Sequence, residues 1–173
     1  QQHAWERSAS NRLAARRALK SFDYSRLLLG FTGALLAPPD DDSRRLETFA
    51  PRCLDKRARQ VTRMADLAQG GDAAARHRLR VAYKRLRYTL EFFAPLFPGE
   101  SMRNYHLAAS NLQEVLGQLN DLAVAGELTR EALPGKLGDP VCDWLLQRTD
   151  SLLPKLNHLL EEFRQQPAPW QKG

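Results

Sequence analysis

Residues 72–97 read DAAARHRLRVAYKRLRYTLEFFAPLF, and the reading of this stretch decides the fold. Gly70-Gly71 precedes it and Pro98-Gly99 follows it, with no helix breaker between until Pro95. About 25 helical residues span roughly 37 Å. Leu79, Ala82, Leu86, Leu90, Phe93 and Phe97 recur at steps of three and four, which places them on one helix face. His77, Arg80, Lys84, Arg87 and Glu91 recur in the same way. At about 100° per residue, this second stripe lies well round the helix from the first. One face is built for burial. The other carries a row of cations that opens on a histidine and closes on a single carboxylate.

The wider chain supports that picture. Its 173 residues suffice for one domain with a real core, and its composition, 43% hydrophobic and 27% charged, is that of a globular protein. No apolar run has the length of a membrane span, and the N-terminal segment lacks the apolar centre of a signal peptide. A chain that starts on Gln1 reads as a processed product or a piece of something longer. Cys53 and Cys142 show no metal-ligand spacing and fit a reducing compartment. The net charge of +6 is unevenly spread: residues 52–87 hold eleven Lys/Arg against three Asp, a local +8 that leaves −2 for the remainder. The basicity is therefore a patch of a size that suits a polyanion.

Outward from the central helix, the signals are all helical. Residues 3–20 form a helix with Trp5, Leu13 and Leu19 among its apolar positions and Arg12, Arg16 and Arg17 on its polar side. Ser21-Phe22-Asp23 is a kink or a new cap. Residues 24–36 are apolar on most of their surface, which predicts a well-buried helix. Pro38-Pro39-Asp40-Asp41-Asp42 ends it as an exposed acidic loop. A third helix covers 50–69, with Pro51 in its first turn. It carries an apolar stripe (Leu54, Ala58, Val61, Ala65, Ala68) and a basic one (Lys56, Arg59, Arg63) with Arg57 beside it. Gly70-Gly71 makes a tight reversal, and Asp72 caps the central helix. The two neighbours are then antiparallel, with basic stripes able to line a shared groove. Helices at 101–117, ended by Gly117, and 122–133, capped by Asn120 or Asp121, come next. A helix at 139–164, kinked or split by Pro154, is last before a tail whose Trp170 docks on the surface. The expectation is an all-α, antiparallel bundle of about seven helices forming a single domain over 1–173.

A row of fixed cations one turn apart suits a repeating phosphate anion, because Arg offers several donors and Lys a compact charge. His77 adds a ring donor, and Tyr88 can offer a hydroxyl, whereas Tyr83 falls at the core edge. Arg78 and Arg85 lie on another flank, toward solvent or a second anion contact. Glu91 is expected to pair with Arg87, Lys84 or a basic residue of another helix. The plainer alternative is a solvated face with a few ion pairs. Enzyme templates are missing: no P-loop, no HExxH, no nucleophile elbow and no acidic cluster for a divalent cation. Base-stacking aromatics between the cations are sparse, which counts against sequence-reading RNA or single-strand recognition.

The segment RHRLRVAYKRLRY at 76–88 resembles the signature H-x-L-R-[VI]-x-x-K-[RK]-L-R-Y of the CHAD family, the conserved histidine α-helical domains. NLQEVLGQLND at 111–121 is similar to the family's LQ-x-x-LG-x-LND segment, and SFDYSRLLL at 21–29 and Pro169-Trp170 also fit. The family has two similar helical halves, each with a histidine-and-arginine helix, and this chain shows one such motif. It therefore resembles the C-terminal half of the domain. The resemblance implies binding of inorganic polyphosphate in a cationic cavity and recruitment of an attached protein to cytoplasmic polyphosphate stores. The implied binding residues are His77, Arg80, Lys84 and Arg87. Lys56, Arg59 and Arg63 follow as a facing wall, with Arg57, Arg85, Tyr88, Arg12 and Arg16 as further contacts. Many members are fused to a CYTH triphosphatase barrel; nothing here resembles it, so no catalytic residue, metal or cofactor is expected. The face of a missing half could serve a homodimer or domain swap. A nucleic-acid-binding module, a phosphotransfer bundle with His77 as acceptor and a non-binding accessory domain are the rival readings.

Overall fold

Helix boundaries follow the caps and breakers wherever the local chemistry is strong. The computed structural model describes residues 2–37, 46–69, 72–133 and 135–171. Its elements are α1 (Gln2–Leu19), α2 (Phe22–Leu36), α3 (Leu46–Ala68), α4 (Ala73–Phe93), a 3₁₀ turn (Ala94–Leu96), α5 (Glu100–Ala132), α6 (Asp139–Gln165) and a second 3₁₀ turn (Pro169–Gln171). The described residues contain no strand, and the fold is all-α as expected. Expectations placed on the Trp5 side chain, the Pro38–Asp42 loop and the Gly70-Gly71 reversal lie outside the described residues.

The chain divides into two units, Gln1–Ser43 and Arg44–Gly173. In the first, Ser21 is the recapping point: its Oγ accepts the amide of Tyr24 at 3.1 Å and opens α2. The expected burial of α2 is overturned. None of its residues is buried, and Leu29, Leu35 and Leu36 are among the most exposed apolar side chains. A helix that is apolar on most of its surface needs neighbours on several sides, and within this unit α2 has only α1 to pack on.

In the second unit, successive helices pack α3 on α4, α4 on α5 and α5 on α6. Asp72 caps α4, its Oδ1 accepting the amide of Ala75 at 2.8 Å. Leu79, Ala82, Leu86, Leu90 and Phe93 are buried and Phe97 is partly buried, so the α4 apolar stripe is the spine of the core. Leu54, Val61 and Ala65 of α3 and Leu112, Leu116 and Leu119 of α5 close on it from either side. Pro95 falls in the 3₁₀ turn, and Gly99 takes a φ of +148°, open to glycine, before α5 starts. Trp170 is buried, not merely docked: its ring meets Tyr105 edge-on at 5.1 Å, and its Nε1 donates to Asp55 Oδ1 at 2.8 Å. That hydrogen bond, first among several influences, holds the Asp55 carboxyl below its ordinary range. Burial pushes the Tyr83 and Tyr105 phenols well up.

Three boundaries differ from the sequence expectation. The helices expected at 101–117 and 122–133 are one continuous helix of 33 residues. Gly117 lies in its interior, and neither Asn120 nor Asp121 is a cap. α3 starts at Leu46, so Pro51 lies inside it, and α6 runs unbroken through Pro154. Each proline removes one backbone hydrogen bond, while the apolar side chains around it (Ala50 and Leu54, Leu152 and Leu156) are all buried. Tertiary burial outweighs the local loss.

Candidate anion-binding site

The row His77–Arg80–Lys84–Arg87–Glu91 is seated against a second row that the sequence reading did not isolate. On α5, His106, Ser110, Gln113, Gly117 and Asn120 recur at steps of four and three, so they share one helix face. The two rows run antiparallel. His77 Nδ1 lies 2.7 Å from Asn120 Oδ1. Arg80 crosses α5 at Gly117, its Nε 4.0 Å from where a Cβ on that glycine would sit. Arg87 Nε donates to Gln113 Oε1 at 2.9 Å. Glu91 Oε1 receives Arg87 at 3.0 Å and His106 Nε2 at 3.2 Å. Glu91 thus pairs as expected, and its carboxylate closes the end of the row.

This seam fixes the long side chains and pairs Arg87, at the end of the row, with a carboxylate. Between Asp72 and Glu91, α4 carries no carboxylate. Arg80 Nε is shielded from solvent and has no protein partner. Its stem is thereby laid along the seam. Lys84 Nζ and Arg87 Cζ sit 5.8 Å and 4.7 Å from the centre of the Tyr88 ring, within cation–π range. Tyr88 is half exposed and faces a cleft that Lys56, Arg57, Thr89 and Phe92 also line. Arg57 donates to Gln60 at 3.3 Å.

The structure brings together His77, Arg80, Lys84 and Arg87 in one row, and Lys56, Arg57, Lys84 and Arg87 around Tyr88. It divides the expected α3 wall. Arg59 and Arg63 line a separate cleft with Asp55, Thr62, Asp66 and Gln171. The reason is helical phase: core contacts through Leu54, Val61 and Ala65 turn Arg59 and Arg63 away from the α4 side. Arg85 is exposed on α4, and Arg12 and Arg16 are exposed on α1 of the first unit. The residues missed were Gln113, Gly117 and Asn120. Their signal was the 106–110–113–117–120 spacing, hidden by reading Gly117 as a helix end. Among the described residues, no group of His, Cys, Asp and Glu could hold a metal ion, and no helix is long and apolar enough to cross a membrane.

An all-α unit with its basic helix seated in a polar seam is the class of fold the geometry defines. The chain belongs to the CHAD domain family: the family's sequence model matches residues 1–130. Among solved structures it is similar to the CHAD domain from the plant Ricinus communis, with 30% identity and a TM-score of 0.72. That match covers 95% of this chain and 59% of the plant chain, so this chain spans about three fifths of its relative's length. No curated protein matches it.

Proposed function

We propose that the chain binds inorganic polyphosphate along the α4–α5 seam and catalyses no reaction on it. His77, Arg80, Lys84 and Arg87 make the principal contacts, and Lys56 and Arg57 add charge around Tyr88. Arg59, Arg63, Arg85, Arg12 and Arg16 are outer contacts for a longer polymer. In a cell, such binding brings an attached protein to cytoplasmic polyphosphate stores.

One observation carries this reading. Four donor side chains lie in a single row of roughly 15 Å on a rigid helix, and the carboxylate at its end is already engaged by Arg87 and His106. A rigid row of this kind loses little order on binding and matches the regular charge of a linear phosphate chain better than a globular partner. Tyr88 and Phe92 are the exposed aromatics of the adjoining cleft, too few to stack successive bases along the row, which favours a ligand without bases. The test is a titration of defined-length polyphosphate into the wild-type chain and into Arg80→Ala/Lys84→Ala, with duplex DNA and single-stranded RNA of matched charge as competitors. Polyphosphate should bind wild type, bind the variant at least tenfold more weakly, and resist both competitors. Equal binding by the variant, or displacement by nucleic acid at matched charge, contradicts the assignment.

A further inference from the structure

We propose that Asn120 is the positioning residue of this site: it holds the Nδ1–H of His77 and so turns Nε2 outward as the atom that meets a phosphate oxygen. The inference rests on the anion-binding reading of the seam and adds a residue and a proton to it.

Asn120 lies well inside the continuous α5, where asparagine is a poor helix former. It is not spent on capping, the role that commonly explains this residue type. Its amide spans to α4 instead, with Oδ1 2.7 Å from His77 Nδ1. Its Nδ2 leans the other way, 3.5 Å from Asp121 Oδ1. The oxygen is therefore the atom facing the imidazole, and an oxygen can only accept. The ring proton must sit on Nδ1. Asn120 thus holds the first member of the α4 row by direct bonding, one turn along α5 from Gly117, where Arg80 crosses.

The chemistry follows from which nitrogen is committed. A neutral imidazole has one N–H, and here Asn120 takes it. Nε2 then presents a lone pair, which a phosphate oxygen repels. In the imidazolium both nitrogens donate, Nδ1 to Asn120 and Nε2 to the phosphate. A His77 that starts neutral takes one proton from solution onto Nε2 when it closes on the anion. The charged residues nearest it are Arg76 and Arg78, its neighbours in sequence, Arg80 one turn along α4, and Asp121, next to Asn120 on α5. Polyphosphate affinity should therefore carry a His77-dependent part that fades as pH rises and the ring gives up its second proton.

Long-range ¹H–¹⁵N correlation spectra of the His77 ring decide the first half. At a pH where the ring is neutral, wild type should show the Nδ1–H tautomer. Asn120→Ala should revert to the Nε2–H form that free imidazoles favour, and Asn120→Asp, which restores an acceptor, should return it to Nδ1–H. Polyphosphate titrations decide the second half. At a pH where the ring is charged, Asn120→Ala and His77→Ala should each weaken binding about tenfold, the double variant no further, and the pH-dependent part should vanish in both. Alanine favours a helix interior, so circular dichroism should show an intact fold. An Nε2–H tautomer in wild type, or additive losses in the double variant, overturns the role of Asn120 alone. Absence of polyphosphate binding by wild type overturns the reading of the site, and the tautomer spectrum still reports whether Asn120 holds the ring.

Discussion

Gly117→Ala puts the α4–α5 seam to a quantitative test. If α5 is continuous, residue 117 has ordinary helical dihedrals, and Gly117 is not among the positive-φ residues. Replacing an interior helical glycine with alanine then stabilises by about 0.8–1 kcal/mol, because the unfolded chain has less freedom to lose. The new methyl must fit beside α4. Its nearest neighbour is Arg80 Nε at 4.0 Å, an ordinary van der Waals contact, so no clash offsets the gain. In a unit of about 130 residues the expected rise in Tm is about 3–5 °C. Thermal unfolding by circular dichroism and calorimetry measures it. Gly117→Leu separates the steric limit from the backbone effect: its larger side chain must displace Arg80, so polyphosphate binding should fall toward that of Arg80→Ala. A drop in Tm for Gly117→Ala would refute the reasoning, since it would place a left-handed glycine at a helix end and break α5 in two.

Two further outcomes follow from the packing. Asp55 has a lowered carboxyl pKa in the folded chain, so its contribution to stability is present above the ordinary carboxylate range and is lost as pH falls through the lowered value; acidification through that lowered value should loosen Trp170, seen as a fluorescence change that Asp55→Asn brings on at neutral pH. Leu86 is fully buried on the α4 spine, and Leu86→Ala should cost about 2–5 kcal/mol in denaturant unfolding; a cost under about 1 kcal/mol would show that the α4 stripe is not the core.

What was legible depended on how local the physics was. The two stripes of α4, the caps at Ser21 and Asp72 and the breaks at Pro95 and Gly99 are written in adjacent residues, and the structure places them accordingly. Gly117 was ambiguous because glycine suits a helix end and can also sit inside a helix, and only the continuity of α5 decides between them. Asn120 raised the same ambiguity, resolved by His77 from 43 positions away. The basic stripe of α3 was read in isolation, but its phase is set by what Leu54 and Val61 bury, and that turned Arg59 and Arg63 toward Gln171. The apolar character of α2 says what the helix seeks, and within its own unit that demand is unmet.

The central claim, that a fixed row of cations on α4 recognises polyphosphate, is tested most directly by the salt dependence of binding. Four phosphate contacts should give a log–log slope of affinity against salt of about −3, and Arg80→Ala/Lys84→Ala should make it shallower by about 1.5. Affinity that is insensitive to salt, or a slope that the double variant leaves unchanged, would contradict the account.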